Sequence, residues 1–135
     1  MNLFDVYVPE NLAVMDLYDL LGERTEQESI SHKEMPSYEQ HCKFVESMPY
    51  PYWHMIEEGS AIVGSIYLTV KDEIGLFIFN AHKGKGYGKA AINLLMEMYP
   101  RDRYLANINP NNEASKAFFS GLGFTTLQET LSYKP

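Results

Sequence analysis

The sequence predicts a mixed α/β fold, in which a central sheet carries helices on both faces, and three observations lead to that prediction. Short runs rich in β-branched and aromatic residues alternate with amphipathic stretches along all 135 residues. Three strand-like runs follow one another with only tight turns between them, as in an antiparallel sheet. A later strand–helix–strand order adds a right-handed parallel crossover. We expect the order β-α-α-β-β-β-α-β-α-β.

The first half of the chain is predicted to contribute one strand and two helices. Residues 3–8 form a short apolar and aromatic run that ends at a proline. Residues 10–23 carry apolar side chains at helical spacing and stop near Gly22. Residues 36–48 form a second amphipathic stretch, which begins at a proline and a serine and ends before two further prolines.

Three strands are predicted next, at residues 52–58, 60–70 and 73–80. The third is apolar on both faces, as expected of a strand that is buried from both sides. The remaining elements are a helix that follows three closely spaced glycines and ends near Pro100, a strand at 103–109, a short helix at 111–123 and a last strand at 124–133.

No repeat, linker or low-complexity run divides the sequence, so we expect a single domain over residues 1–135. The one cysteine, Cys42, excludes an internal disulfide and suits a reducing cytoplasm. No run approaches the roughly 18 uncharged apolar residues of a membrane span, and the four histidines lack the spacing of a zinc site. We therefore expect a cytoplasmic monomer or homodimer that uses neither a membrane nor a metal.

The net charge of −7 is unevenly distributed. Residues 1–60 contain 12 acids and 3 bases, a balance of −9, whereas residues 61–135 contain 6 acids and 8 bases, a balance of +2. An acidic first half argues against nucleic acid as a partner, because phosphate binding needs a basic surface. It would attract a cationic substrate, although an acidic surface that only keeps the protein soluble explains it equally well.

The segment KGKGYG, residues 83–88, places three glycines at alternate positions directly before a predicted helix. Glycine is entropically costly in regular structure, so the chain must need a bare backbone there. A strand, a glycine-rich turn and a helix start together form a site for phosphate, since the first N–H groups point outward and the helix dipole adds positive charge. Lys83, Lys85 and Lys89 lie in a window, residues 81–96, that contains no acid.

The glycine spacing excludes two familiar phosphate motifs. A dinucleotide fingerprint would need a glycine at Lys89, and a P-loop would need a hydroxyl at Ala90. Instead, KGKGYG resembles the Arg/Gln-x-x-Gly-x-Gly/Ala pyrophosphate loop of the GNAT superfamily of acyl-CoA-dependent N-acyltransferases, with Lys83 in the first position. The preceding LFIFN is similar to that family's splayed fourth strand, and residues 111–124 are similar to its Asn-x-x-Ala/Ser … Gly-Phe segment.

The resemblance implies the GNAT fold and an N-acetyltransferase that uses acetyl-CoA as co-substrate. It implies that loop N–H groups bind the pyrophosphate and that the fourth strand pairs with the pantetheine amides like an added half-strand. Asn112 would lie near the thiol end, and the N–H of Ile78 would polarise the thioester carbonyl. The implied coenzyme-binding residues are Leu76, Phe77, Ile78, Lys83, Gly84, Lys85, Gly86, Tyr87, Gly88, Lys89, Asn112 and Ser115.

Direct transfer also needs a proton acceptor for the amine and a proton for the leaving thiolate. Counting from Asn112, Phe119 occupies the position of the family's usual tyrosine acid, and Asn107 that of the glutamate in ribosomal-protein acetyltransferases. An enzyme of that kind is therefore disfavoured. The base candidates are Glu73, His54 and Glu57, and the acid candidates are Ser115, Tyr67 and Tyr104.

The acceptor is expected to be a small primary amine, with an amino sugar or a nucleotide-linked amino sugar as the specific hypothesis. Its support is the aromatic run that contains Tyr50, Tyr52 and Trp53, on which the apolar face of a sugar could stack. Two alternatives stay open. One is a coenzyme A-binding sensor without turnover, and the other is an enzyme that acetylates the amine of a protein or peptide.

Overall fold

The computed structural model of the chain describes residues 1–8, 13–24 and 35–135. Within these residues the sheet has four antiparallel strands in the order β1-β2-β3-β4, namely Asn2–Asp5, Tyr52–Glu58, Ala61–Leu68 and Ile74–Ile78. The α-helices are α1 (Ala13–Glu23), α2 (Tyr38–Glu46), α3 (Tyr87–Met98) and α4 (Glu113–Gly121). Each corresponds to an element that the sequence predicts, although the predicted start of the first helix at residue 10 lies outside the described residues.

Local hydrogen bonds explain where the helices begin. The Ser37 hydroxyl accepts the N–H of Gln40 at 3.1 Å, and the Gln40 side chain accepts the N–H of Ser37 at 2.9 Å, which is a complete capping box for α2. Asn112 caps α4 with a single side-chain bond, because its side-chain oxygen accepts the N–H of Ser115 at 3.1 Å. Helix α3 follows Gly86 and has no side-chain cap.

The two faces of the sheet carry separate buried clusters, because successive side chains of a strand point to opposite faces. One cluster joins the sheet to α1 and α2 and contains Val6, Ala13, Leu17, Val45, Trp53 and Met55. The other joins it to α3 and α4 and contains Ile56, Val63, Ile66, Leu68, Ile74, Ala91, Ile92, Leu95 and Phe119. The prediction of a mixed α/β fold with helices on both faces is confirmed.

The strand predicted at residues 103–109 is reduced to a single parallel bridge between Leu105 and Glu73. The N–H of Ile74 donates to the Leu105 carbonyl at 2.7 Å, and the N–H of Leu105 donates to the Asp72 carbonyl at 2.9 Å. Beyond this bridge a cleft separates β4 from residues 107–109. In place of strand hydrogen bonds, apolar side chains hold residues 103–109, because they pack on the buried cluster under α3 and α4.

The strand predicted at residues 124–133 does not form in the structure, and this prediction is wrong. Phe124 packs on Phe119 with a centroid distance of 5.1 Å, but Leu127 and Leu131 are 63% and 90% exposed. A strand needs a neighbour for its backbone hydrogen bonds. Residues 103–109 contribute only one bridge to the sheet, so among the described residues they do not provide the neighbouring strand that residues 124–133 would need.

Candidate active site

A cleft of about 660 Å³ lies between β4, the glycine loop before α3, and the N-terminal part of α4. It also reaches residues 107–109, so it occupies the gap that opens after the single parallel bridge. The cleft therefore forms where the sheet fails to continue, and both the glycine loop and the predicted catalytic region face it.

The glycine loop has the backbone conformation that its sequence predicts. Gly84 and Gly86 have φ of 77° and 82°, in the left-handed region that side chains with a Cβ rarely adopt. The first hydrogen bond of α3 runs from the Ala90 N–H to the Gly86 carbonyl at 3.2 Å. The N–H groups of residues 87–89 precede that bond and lie outside the helical ladder, as an anion-binding helix start requires.

Gly88 has a different function from the other loop glycines, which is close packing. A Cβ at this position would lie 3.1 Å from Leu76 Cδ2 and 3.2 Å from Phe118 Cζ. The missing side chain lets the first turn of α3 approach both β4 and α4.

The loop side chains divide into two groups. Lys83 and Tyr87 line the cleft, as does His82, which the sequence analysis did not single out. Lys85 and Lys89 are exposed and do not line it, so their predicted contact with the coenzyme has no support from their placement. Their charges still add to the positive potential around the loop.

The backbone of β4 offers hydrogen bonds to the cleft at alternate residues. The N–H of Phe79 donates to Val63 of β3, and the carbonyl of Glu73 accepts from Thr69 on the same side, so odd-numbered residues face β3. The N–H of Ile74 points to the opposite edge, where it meets Leu105. Leu76 and Ile78 share that outer edge and line the cleft.

Because of this alternation, only two of the three residues that were predicted to pair with pantetheine direct their backbone groups to the cleft. Leu76 and Ile78 present their backbone groups to the cleft, whereas the register pair of Phe77 with Ser65 directs the Phe77 backbone to β3. The predicted backbone contact of Phe77 is therefore replaced by contacts from its two neighbours. Beyond Ile74, the outer edge of β4 pairs with no strand among the described residues, and an extended ligand can complete such an edge.

Glu73 lies immediately before β4 with both carboxylate oxygens hydrogen-bonded. The Thr69 hydroxyl donates to Oε1 at 3.0 Å, and the Asn107 side-chain amide donates to Oε2. All three residues line the cleft. The carboxylate is thus held in a fixed orientation at the wall of the cleft, and its remaining lone pairs can accept a proton.

Asn112 and Ser115 lie together at the start of α4. Asn112 is buried, with 9% of its surface exposed, and its side-chain oxygen is used for capping the N–H of Ser115. The Ser115 hydroxyl is not part of that cap, and Ser115 lines the cleft. Both residues line the cleft, and Asn112 also caps the helix, while their contact with the coenzyme stays a prediction.

His54 does not join the other candidates. Its Nε2 lies 2.7 Å from the Tyr99 hydroxyl, and the residue is 5% exposed and absent from the walls of the cleft. Desolvation by burial lowers the pKa of His54 below that of free histidine, against smaller opposing effects from Asp5 and the Phe4 backbone. Its placement is that of a core histidine rather than a base.

Of the predicted acid candidates, Tyr67 and Ser115 line the cleft and Tyr104 does not. Phe119 is buried in the core, 8% exposed, so the position of the usual tyrosine supplies no hydroxyl. The Tyr104 hydroxyl donates to the Tyr99 carbonyl at 2.7 Å and does not line the cleft. Tyr67 does line it, and its ring lies so close to β4 that a Cβ on Gly75 would be 1.9 Å from Tyr67 Cζ.

A second cavity of about 330 Å³ lies on the α1/α2 face of the sheet. Tyr67 and Phe77 line both the cavity and the cleft, so the two spaces adjoin across β3 and β4. Tyr50 and Trp53 belong to its wall. Tyr52, the third predicted stacking residue, instead points to the opposite face and stacks on Tyr99 with a centroid distance of 4.0 Å.

In the part of the chain that the structure describes, no helix is long and apolar enough to cross a membrane. No group of three histidine, cysteine or acidic side chains in those residues is arranged as metal ligands would be.

Comparison with solved structures shows the same fold in several acetyltransferases. An acetyltransferase from Thermus thermophilus is 20% identical, with a TM-score of 0.73 over 95% of this chain and 88% of that one. An aminoglycoside antibiotic 6'-N-acetyltransferase from Acinetobacter haemolyticus is 12% identical, with a TM-score of 0.71 over 100% and 98%. The protein yncA from Salmonella typhimurium, solved with its cofactor acetyl-CoA, is 16% identical, with a TM-score of 0.67 over 93% and 80%.

The sequence itself provides the decisive comparison. No curated protein matches it, but the family described as "Acetyltransferase (GNAT) family" matches residues 9–124, which include the glycine loop, β4 and α4. The chain belongs to the GNAT family of acetyltransferases, which transfer an acyl group from acetyl-CoA.

Proposed function

We propose that this acetyltransferase moves the acetyl group of acetyl-CoA directly to the primary amine of a small acceptor, with amino sugars and nucleotide-linked amino sugars among the candidates. The observation that carries the proposal is the junction of two spaces at Tyr67 and Phe77. One space has a glycine loop and an open strand edge suited to the coenzyme, and the other has the aromatic wall of Tyr50 and Trp53.

Residues that fit the coenzyme are distributed along the length of the cleft. Loop N–H groups around Gly86 would hold the pyrophosphate, and the outer edge of β4 would hold the pantetheine arm. The loop follows Ile78, whereas Glu73 lies at the opposite end of β4. The thioester is the end of the coenzyme farthest from the pyrophosphate, so we assign its carbonyl to the N–H of Leu76 rather than that of Ile78.

Proton transfer would use the side chains at the Glu73 end. Glu73 accepts the proton that the acceptor ammonium must lose, directly or through one water molecule, while Thr69 and Asn107 keep its carboxylate aligned. Tyr67 and Ser115 both line the cleft and can donate a proton to the leaving sulfur. Because Tyr67 lies between the two spaces, we favour its hydroxyl.

The proposal is tested in two steps with the whole chain. Calorimetry with acetyl-CoA is expected to show micromolar or tighter binding, and a panel of amines is then screened for release of coenzyme A thiol. Lack of binding at millimolar acetyl-CoA would overturn the coenzyme assignment. Binding of acetyl-CoA without turnover on glucosamine, polyamines, aromatic amines and an N-terminal peptide would instead favour a coenzyme A sensor. The burial of Phe119 and His54 in the core would agree with that outcome, because neither residue could then transfer a proton.

A further inference from the structure

The ring of Tyr67 crosses from β3 onto the neighbouring strand β4. Tyr67 is opposite Gly75 in the antiparallel register, and a Cβ on Gly75 would lie 1.9 Å from Tyr67 Cζ and 2.2 and 2.5 Å from its two Cε atoms. A carbon there would lie against the face of the ring, so glycine is the residue that lets the tyrosine cover β4. The hydroxyl on Cζ is thereby brought within one residue of Leu76, whose N–H we assign to the thioester carbonyl.

The opposite face of the Tyr67 ring is covered by Tyr50. The two rings are parallel to within 5°, with a centroid distance of 3.8 Å. The Trp53 ring is nearly perpendicular to both, with centroid distances of 6.4 Å to Tyr67 and 4.9 Å to Tyr50. The Tyr67 side chain is thus held between a backbone and a ring, and close packing on both faces restricts its rotation away from the cleft.

The hydroxyl of Tyr50 is coupled to that of Tyr67. Burial is the largest cause that raises the pKa of Tyr50, and the Tyr67 side chain adds to the rise by its charge and by hydrogen bonding, against a smaller opposing effect of Arg24. Tyr7 also raises the pKa of Tyr50, as the smallest effect. Tyr50 therefore keeps its proton at neutral pH and can donate it in a hydrogen bond to the Tyr67 oxygen. The proton of Tyr67 is then free to point into the cleft.

The backbone of Tyr50 is fixed by the hydroxyl of Tyr7. That hydroxyl donates to the Tyr50 carbonyl at 2.5 Å and accepts the Tyr50 N–H at 3.3 Å. Tyr50 stands between Pro49 and Pro51, whose rings fix φ on both sides of it. A residue directly after β1 thus fixes the ring that covers Tyr67, from 43 positions away in the sequence.

Within the proposed function, on which this inference rests, we propose that Tyr50 and Tyr7 are positioning residues that hold the Tyr67 hydroxyl against the leaving sulfur. As the carbon–sulfur bond breaks, its electron pair passes to the sulfur, which takes the hydroxyl proton of Tyr67. Tyr50 donates a hydrogen bond to the phenolate that remains. The acceptor ammonium loses two protons in forming the amide. One of them returns to Tyr67 through water, and the other leaves through Glu73.

The whole chain tests the stack, with glucosamine, spermidine and tyramine as acceptors and the one of highest kcat/KM used for comparison. Tyr50→Leu removes the stacked ring and is expected to lower kcat about fivefold or more. Tyr50→Phe keeps the ring, so its loss should be smaller by about threefold or more. The KM for acetyl-CoA should not change, because Tyr50 lies outside the walls of the cleft. An unchanged kcat for Tyr50→Leu, or equal losses in the two variants, would overturn the inference.

Two tyrosines that hold a backbone carbonyl give a matched pair of variants. Tyr7 donates to Tyr50, and Tyr18 donates to the Pro36 carbonyl at 2.9 Å. Neither tyrosine lines the cleft or the cavity. Tyr7→Phe is expected to lower kcat about threefold or more, since the tether of Tyr50 is lost, whereas Tyr18→Phe should stay within about twofold of the parent. Thermal unfolding checks that both remain folded, and equal effects on kcat would contradict the positioning by Tyr7.

Coupling to Tyr67 separates positioning from a general effect on the fold. In a Tyr67→Phe background, Tyr50→Leu and Tyr7→Phe should each lower kcat less than about twofold further, because the hydroxyl that they position is absent. Additive losses would overturn the inference and leave the acetyltransferase proposal intact. If no amine were acetylated although acetyl-CoA bound, the proposed small-amine function would fail. Hydrolysis of acetyl-CoA by water would then compare the same variants, because it releases the same thiolate.

Discussion

Asn107 donates a side-chain hydrogen bond to the carboxylate of Glu73, which joins the segment after α3 to the residue immediately before β4. By the resemblance given above, Asn107 takes the position of the glutamate of ribosomal-protein acetyltransferases. Here the carboxylate is supplied from the neighbouring segment, and Asn107 holds it. Asn107 thus contacts the carboxylate that we propose to act as the base.

Replacement of Glu73 with glutamine tests that proposal, because it keeps the size of the side chain and removes the proton acceptor. The turnover number is expected to fall by about 10²- to 10⁴-fold, the usual range for general-base assistance, while the calorimetric affinity for acetyl-CoA stays within about twofold, below the cost of one net hydrogen bond. Glu57→Gln, in β2 and away from the cleft, is the control. A loss below about threefold across pH 6–9 would mean that another group is the base.

Asn107 is expected to act through Glu73, so its effect should disappear when Glu73 is absent. Asn107→Ala should lower kcat about three- to tenfold, since it removes one hydrogen bond to the carboxylate. In the Glu73→Gln background the same change should have little further effect on kcat. Steady-state kinetics of the parent protein, the two single variants and the double variant measure this coupling. Additive losses would show that the two residues act independently.

The conformation of Gly86 makes a specific prediction about coenzyme binding. Its φ of 82° is unfavourable for a β-branched residue, so Gly86→Val should displace the loop and weaken acetyl-CoA binding at least about tenfold, given strain of about 1–3 kcal/mol. Gly121→Ala is the control, because a Cβ meets nothing within 4 Å at either position, whereas only Gly86 of the two has a positive φ. Calorimetry measures both affinities, and thermal unfolding checks that the valine variant remains folded. Unchanged affinity in that variant would remove the loop from the coenzyme site.

The two hydroxyls of the cleft can be separated by paired variants. Tyr67→Phe keeps the ring that stacks on Tyr50 and is expected to lower kcat about tenfold or more if the hydroxyl protonates the thiolate. Ser115→Ala should change kcat less than about threefold, because the helix cap uses the Ser115 backbone N–H and not its hydroxyl. The kcat values against pH measure both effects. The reverse ranking would assign the acid to Ser115.

The buried histidines predict how stability depends on pH. Burial lowers the pKa values of His41 and His54 in the folded state, so the unfolded chain binds more protons as the pH falls below about 6.5. Their contribution is therefore complete above that pH and is lost as the pH falls towards their folded-state values. Urea unfolding should give a smaller free energy at pH 5.5 than at pH 7.5.

A His54→Gln variant tests both the source of this pH dependence and the role of the residue. The difference in unfolding free energy between pH 5.5 and 7.5 should shrink in the variant, since one depressed pKa is removed. Its turnover number at pH 7.5 should remain within about threefold of the parent, because a lost general base would cost far more. A fall of about 10²-fold or more would restore His54 as the base.

The sequence by itself determined the features that depend on neighbouring residues. The spacing of apolar side chains located four helices and four strands, and the alternate glycines before α3 predicted a loop suited to binding an anion. Both signals are local, since helical periodicity and left-handed φ are properties of a few consecutive residues. The resemblance to the acetyltransferase family rested on the same short segments.

Only the tertiary structure decided which of those elements pair and which side chains meet. Residues 103–109 and 124–133 have strand-like sequences, but a strand also needs an edge with which to bond, and their surroundings provide one bridge or none. The contacts of Glu73 with Asn107 and of His54 with Tyr99 join residues 34 and 45 positions apart. Local periodicity carries no information on such contacts, because packing across the sheet brings them together.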